Sequence, residues 1–407
     1  MVTNAPAMGE RGEAGDRIDL PTRAAALSSW LDGRAHNAAA TATLPSDVVH
    51  VLESEGFFRM GLPRGLGGLE LDPISMLLTA EKLAWADGST AWTVMIGNSS
   101  IVLAWLDQAV AAELLDGRPG QPLASMFAPL GHGVEEAGGY RVSGRWNYVS
   151  GSPHATMIVL GFVVVGSDGV ARSTEDGPLV RWGVVRAKDV TIEGTWRGAA
   201  GMCGSGSHDV VVNDVFVACE HTLTPFIGPP CADGALYRMP FFMGTTLLTG
   251  VPLGVARRAL DELNTLCRSK SREGSPLVAD EDTQIRLAEA EAALRASRTS
   301  ALDCLGRIWA EVEVGGEPSL NMGVEYTLAA QFAMQSAVQA VDLAFEIAGV
   351  SSARMGDVIQ RCWRDVNVAR QHVSFSRARW RRAGQALLGL VTDFPNFSNV
   401  TATDQRQ

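Results

Sequence analysis

The chain has 407 residues, 46% hydrophobic and 19% charged. That is enough to bury roughly 75% of the unfolded surface and to divide into two or three packed units. The 34 Lys and Arg against 45 Asp and Glu leave a net charge of −11, which repels phosphate backbones and disfavours nucleic-acid and anionic-membrane partners.

Residues 1–16 mix Gly, Ala and charge without an apolar stretch, so a disordered tail and no signal peptide are expected. Residues 17–121 carry helical patterning. One helix begins at Pro45-Ser46-Asp47, with Ser46 or Asp47 as N-cap, and stops at Gly56; the glycine-rich run Pro63–Gly68 is a loop. A second runs from Pro73 to Ala86, and a third from Ser89 carries Trp92, Met95 and Ile96 at helical spacing.

Over residues 122–232 the period changes to two. Gly139–Ser150, Met157–Val165, Val180–Val185 and Val210–Val217 alternate or run apolar between turn signals, predicting a β-domain, a small barrel or a sandwich. Met157–Val165 is far too short to cross a membrane.

Residues 233–392 return to long helices: Phe242–Glu273, Asp280–Val314, Ser319–Ala348, Asp357–Val366 and Gln371–Leu388. In the third, Leu328, Phe332, Val338, Val341, Phe345 and Ala348 form the predicted core face. The class is mainly α with a β-domain: an N-terminal helical domain, a middle β-barrel or sandwich and a C-terminal four-helix bundle. Residues 393–407 read as a mobile tail.

Several chemistries drop out. The six cysteines are scattered without a Cys-x-x-Cys, so neither a disulfide framework nor a structural zinc site is expected, and the protein reads as cytoplasmic. No Glu has a His three residues later, which removes the di-iron bundle; there is no HExxH, P-loop or GxSxG, and no metal is expected. Gly201–His208 is glycine-rich but leads into a strand, whereas a dinucleotide fingerprint must open a helix.

Three ordered stretches remain: Gly61–Gly68; Ser143-Gly-Arg-Trp-Asn-Tyr-Val-Ser-Gly151 followed by Gly204-Ser-Gly-Ser-His-Asp-Val210; and Arg361-Cys-Trp-Arg-Asp-Val-Asn-Val-Ala-Arg-Gln-His372. Together they resemble the acyl-CoA dehydrogenase fold, and more closely its oxygen-using branch. That branch is the two-component flavin monooxygenases, typified by 4-hydroxyphenylacetate hydroxylase oxygenase components, dibenzothiophene monooxygenase and amino-sugar N-oxygenases. The resemblance spans about Leu20 to Leu390.

The resemblance implies an oxygenase component, a homotetramer fed with reduced FMN or FAD by a separate flavin reductase. Its flavin C4a-hydroperoxide, formed with O2, would hydroxylate a small organic substrate at C, N or S. Tyr148-Val149-Ser150 falls on the segment that bonds flavin N5, with Ser150 supplying the hydroxyl. Arg268, Arg272 and Ser275 fall in the region that reaches flavin phosphates, often across a subunit boundary. Ser125–Pro129 matches backbone contacts to the ring, with Phe127 singled out, and Trp92 and Asn98 lie on the helix that lines the substrate pocket. The acyl-CoA dehydrogenase alternative needs a glutamate base, but its two locations hold Val373 and Gly244. His372 instead occupies the place of the branch's flavin-side histidine, while Arg364 and Asp365 read as a structural ion pair. A silent helical scaffold is the remaining alternative.

Overall fold

The computed structural model describes residues 19–390 except 176, 225–227, 241–245 and 273. Both tails and Gly244 lie outside the described residues. Aspartate caps open most helices. Asp19, Asp72, Asp87, Asp107, Asp280 and Asp357 each accept a backbone N–H two or three residues ahead. They start α1 (Leu20–Thr41), α3 (Pro73–Ala86), α4 (Gly88–Gly97), α5 (Gln108–Leu115), the bundle helix α8 (Glu281–Glu313) and α10 (Val358–Ala369). Helix α2 (Ser46–Ser54) departs from the pattern. Pro45 holds its N-cap position, so neither Ser46 nor Asp47 caps it, and Asp47 pairs with Arg34 at 2.8 Å.

Apart from a two-residue ladder of Ser271–Arg272 with Ser275–Pro276 in the bundle, strands run from Leu123 to Leu223. β1 (Leu123–Glu136), β2 (Gly139–Val149), β3 (Met157–Val165), β6 (Val180–Arg186), β7 (Thr191–Glu193), β8 (His208–Ala218) and β9 (Thr222–Leu223) make one seven-stranded mixed sheet in the order β7-β8-β2-β1-β3-β6-β9. β4 (Ser173–Thr174) and β5 (Gly177–Pro178) form a separate two-residue ladder. The sheet folds over on itself as a barrel or sandwich does: Gly183 of β6 lies against Val217 of β8, four places along the order, although the edges β7 and β9 do not pair with each other among the described residues. β1–β3 is parallel and the other pairs antiparallel. Successive residues of β3 point to opposite faces. Met157 and Val159 pack with Val102, Leu103 and Leu114 of the N-terminal helices, while Ile158, Leu160 and Phe162 join Trp146, Val210 and Val217 on the other face.

From Ala235 the chain is helical again: α6 (Ala235–Arg238), α7 (Gly250–Ser269), α8, α9 (Leu320–Ala348), α10 and α11 (Arg377–Leu387). The first long bundle helix thus begins at Gly250 rather than Phe242. At its start α7 crosses α3 closely: a Cβ on Gly254 would stand 2.2 Å from the Glu81 carbonyl oxygen. The buried face of α9 overlaps the expected one in part: Val341 and Ala348 are buried and Leu328, Val338 and Phe345 half-buried, but much of it is made of small residues. Ala330, Ala333, Ala337, Ala340 and Ala344 are buried, whereas Phe332 is exposed, because small side chains let the helix backbones approach. The N-terminal helices and the bundle share one core, which runs from Leu20 through Trp92 and Leu260 to Phe375. Among the described residues no helix is long and apolar enough to cross a membrane.

The last helix also starts late. Gln371–Ser376 is not helical: His372 caps a short 3-10 turn, Val373–Phe375, and α11 begins only at Arg377.

Candidate functional site

Four segments converge on Trp92. It lies on α4, and its Nε1–H donates to Ser150 Oγ at 3.1 Å. Ser150 sits just past the end of β2, where the β2–β8 register shifts between Trp146 and Val149. Such an irregularity re-aims side chains. Tyr148 takes φ 64 there, a rare conformation outside glycine, and its ring turns outward, 59% exposed, edge-on to Trp196 at 6.0 Å. Behind Ser150 lies the loop before β8: Ser150 Oγ to Ser207 Oγ is 2.7 Å, and Ser207 Oγ to Ser205 Oγ is 2.7 Å. The fourth segment brings His372, whose ring meets Trp92 edge-on at 5.2 Å. Trp92, Ser150 and His372, far apart in the chain, thus form one group.

The His372 ring has a defined proton. Nδ1 accepts the Ser374 N–H at 3.3 Å, so in the neutral ring the proton sits on Nε2. Burial, with the cation of Arg379 nearby, pushes its pKa down to about 4, and the imidazole is neutral at pH 7. Gln331 of α9 donates to the Ser374 carbonyl at 2.6 Å and anchors the turn, while the buried Ser374 hydroxyl has no partner among the described residues.

Asp365 locks the loop to α10. Its Oδ1 accepts the Met202 N–H at 2.6 Å, and burial beside Asp87 raises its pKa to about 7. It does not pair with Arg364. Adjacent helix residues do not face each other, and Arg364 instead donates to Gln360 Oε1 at 3.1 Å and the Ala200 carbonyl at 3.4 Å. The ion pair of this helix is Arg361–Asp32, 2.6 Å. Gly201–Ser207 is a loop with a 3-10 turn at Cys203–Ser205 that leads into β8, the strand its sequence indicates. His154, bonded to Thr43 at 2.8 Å, and His208, which accepts the Trp196 N–H at 3.0 Å, hold the scaffold.

Other sequence candidates stand apart from this group. The Asn98 amide is wholly committed: Nδ2 donates to the Phe57 and Val94 carbonyls, both at 2.8 Å, and Oδ1 accepts the Gly61 N–H at 3.2 Å. It ties the Gly61 loop to α4 instead of facing a cavity. Its neighbour Ser99 makes a buried hydroxyl pair with Ser125, 2.6 Å. Phe127 stacks on Trp182 at 4.3 Å, and its carbonyl accepts the Trp182 Nε1–H at 3.0 Å. Arg272 donates to the Ile347 carbonyl at 3.0 Å at the end of α9. That end is sixteen residues from Gln331, about 24 Å along the helix at 1.5 Å per residue. Arg268 and Ser275 are exposed in the same region. Within one chain this basic turn does not meet the Trp92 group.

Two family models match the sequence: the N-terminal domain of acyl-CoA dehydrogenase over residues 26–115 and its C-terminal domain over residues 247–377. Indole-3-acetate monooxygenase from Pseudomonas putida is 31% identical, across 84% of this chain and 87% of its own length. The chain belongs to the flavin-dependent monooxygenases of the acyl-CoA dehydrogenase fold. Oxygenase subunit HsaA of Rhodococcus jostii, a flavin-dependent monooxygenase, is 28% identical over 86% of this chain and 92% of its own. The crystal structure of 3-HSA hydroxylase from Rhodococcus sp. RHA1 aligns with a TM-score of 0.84 at 26% identity, covering 91% of this chain and 97% of that one.

The monooxygenase assignment agrees with the side chains present. Val373, at the dehydrogenase base position, is 63% exposed and carries no carboxylate. The buried carboxylates among the described residues are all engaged: Glu81 with Arg298, Asp87 with Thr90, Asp209 with Arg145 and Asp365 with Met202. What remains around Trp92 is a set of neutral donors and acceptors, a hydroxyl, an imidazole and an unpartnered serine, which suits a heteroaromatic ring such as a flavin. Ser205 and Ser207 belong to this set and were not singled out by sequence, although the Gly204–Val210 motif contains them.

Proposed function

We propose that this oxygenase component takes reduced FMN or FAD from a separate flavin reductase and hydroxylates a small aromatic substrate. The observation that carries the reading is the neutral His372 imidazole set edge-on to Trp92, which in turn bonds Ser150, with no carboxylate base beside it among the described residues. The aromatic substrate class is supported by the indole-3-acetate activity named for the relative from Pseudomonas putida.

Bound reduced flavin supplies the electrons that activate O2. Ser150 would hold the ring edge through its hydroxyl and Tyr148, exposed at the same strand end, would flank it, while Phe127, stacked on Trp182, would act from outside the Trp92 group by holding β1 against β6. Arg268, Arg272 and Ser275 would reach the flavin phosphates of a neighbouring copy in a homotetramer, since they stand away from their own chain's site. His372 would donate from Nε2 to an oxygen atom on the reacting side, and Trp92 would keep water off it. Asn98 acts from behind by fixing α4.

The test supplies reduced FMN and O2 with a panel of small aromatic acids and phenols, and measures hydroxylated product and hydrogen peroxide. Product formation that falls in His372→Ala and Ser150→Ala, with peroxide rising in its place, is expected. Bleaching of bound oxidised flavin by an acyl-CoA, without oxygenation of any aromatic compound, would overturn the reading.

A further inference from the structure

Three serine hydroxyls stand in line beside the Trp92 indole. Ser150 Oγ lies 2.7 Å from Ser207 Oγ, which lies 2.7 Å from Ser205 Oγ, and all three are buried. Each hydroxyl has one proton to give and two lone pairs to receive with. The indole Nε1–H can only donate, so it occupies one lone pair of Ser150. Three proton orders then satisfy the serine–serine bonds; in one of them Ser207 accepts from both neighbours, which strands its own buried proton with no further partner among the described residues. If Ser150 gives to Ser207 and Ser207 to Ser205, the proton of Ser205 is left over where the residue is 1% exposed and no second partner exists among the described residues. If the order runs from Ser205 to Ser207 to Ser150, both Ser150 lone pairs are filled and its own proton is left for a bound acceptor.

We propose that Ser207, with Ser205 behind it, is a positioning residue that makes Ser150 a hydrogen-bond donor toward the flavin. This rests on the reading that Ser150 faces the flavin. The outward order matches a ligand atom that accepts, such as the unprotonated ring nitrogen of oxidised flavin. A ligand N–H, as reduced flavin carries, needs a Ser150 lone pair and turns the chain round. Bonds in such a chain polarise one another, so removing the middle member is felt at the end.

The test is equilibrium binding of oxidised and of reduced FMN, the latter under anaerobic conditions, to the full chain and its variants, with thermal unfolding as the folding control. Ser207→Ala frees a lone pair on Ser150. It is expected to weaken oxidised FMN roughly fivefold, the size of one hydrogen bond, and to change reduced FMN little. Ser205→Ala should shift the same ratio in the same direction by less, and Ser207→Thr should restore it. In a Ser150→Ala background Ser207→Ala should add nothing, because it acts through that hydroxyl. Equal weakening of both redox forms, or a full effect of Ser207→Ala without Ser150, would overturn the proposal. Should Ser150→Ala itself leave FMN affinity and spectrum untouched, the placement of Ser150 at the flavin falls, and the chain's role with it.

Discussion

The Trp92 indole stands edge-on to His372, ring planes at 81°, and gives its one N–H to Ser150. A single side chain on α4 thereby spans the strand end and the turn after α10, the two places where the chemistry-bearing residues sit. An edge-to-face contact holds the imidazole plane, and the N–H holds the serine oxygen, so displacing either ring moves both partners.

Trp92→Phe separates these roles. The phenyl ring keeps much of the packing against His372 but cannot donate to Ser150. The expected loss of stability is about 1 kcal/mol, read from thermal unfolding. The larger effect is on coupling: more hydrogen peroxide and less hydroxylated product per O2 consumed. A peroxide yield equal to that of the wild type would separate the indole N–H from the site.

Pro73–Ala86 is legible because its signals are local: Asp72 caps it, proline is its first residue and Asp87 opens the next helix. Gly349 closes α9 for the same kind of reason. The turn at 371–376 has no glycine or proline to announce it. It is held by the His372 ring on the Ser374 N–H and by Gln331, 43 residues away. His372 and Ser150 stand out through ordered motifs, but their meeting at Trp92 depends on the β2–β8 irregularity, which no local pattern encodes. Asn98 misleads in the other direction. A polar residue in an apolar helix resembles a pocket residue, while in space its amide satisfies three backbone groups. The Ala face of α9 is buried for a similar reason of context, since helix approach rewards small side chains there over the bulk of Phe332.

The pH dependence follows from His372. Its pKa in the folded chain is about 4, against an ordinary 6.5, because burial and the nearby Arg379 disfavour the cation. The ring is therefore neutral from pH 5 to 8, and the hydroxylation rate should show no limb near 6.5 attributable to it. Stability carries the opposite signature. Between pH 6.5 and 4 the unfolded chain takes up a proton that the folded site refuses, so stability falls as the pH drops through that window. His154, also lowered to about 4 by burial, adds to the loss. His372→Asn should flatten the acid side of a melting-temperature curve, and a curve parallel to wild type would contradict the burial argument.

Asp365 works with the reverse sign. Burial and Asp87 raise it to about 7 from 3.8, against the pull of Arg361, Arg364 and the Met202 N–H. Over pH 3.8 to 7 the folded chain holds a proton that the unfolded chain has released, so this group costs stability as the pH rises and the cost is complete above 7. Asp365→Asn keeps an oxygen acceptor for Met202 and removes the ionisation. The variant should melt above wild type at pH 8, with the gap closing toward pH 5. A gap that widens on acidification would mean that the carboxylate is ionised in the folded state.

Gly201 tests the joint between loop and helix without touching a functional group. A Cβ there would stand 2.2 Å from the Arg364 carbonyl oxygen, a backbone atom that cannot rotate away. Gly201→Ala must therefore lift the loop from α10, stretching the Met202–Asp365 bond and carrying Ser205 and Ser207 with it. The expected cost is about 1–3 kcal/mol of stability, typical of overpacking. FMN binding should weaken alongside it, because the support behind Ser150 shifts. Gly169→Ala, where an added Cβ meets nothing within 4 Å, is the control at a glycine outside the site, with φ +78 giving it a small strain of its own. Stability lost at Gly201 with flavin affinity intact would show that the loop fixes the fold and leaves the serines where they were.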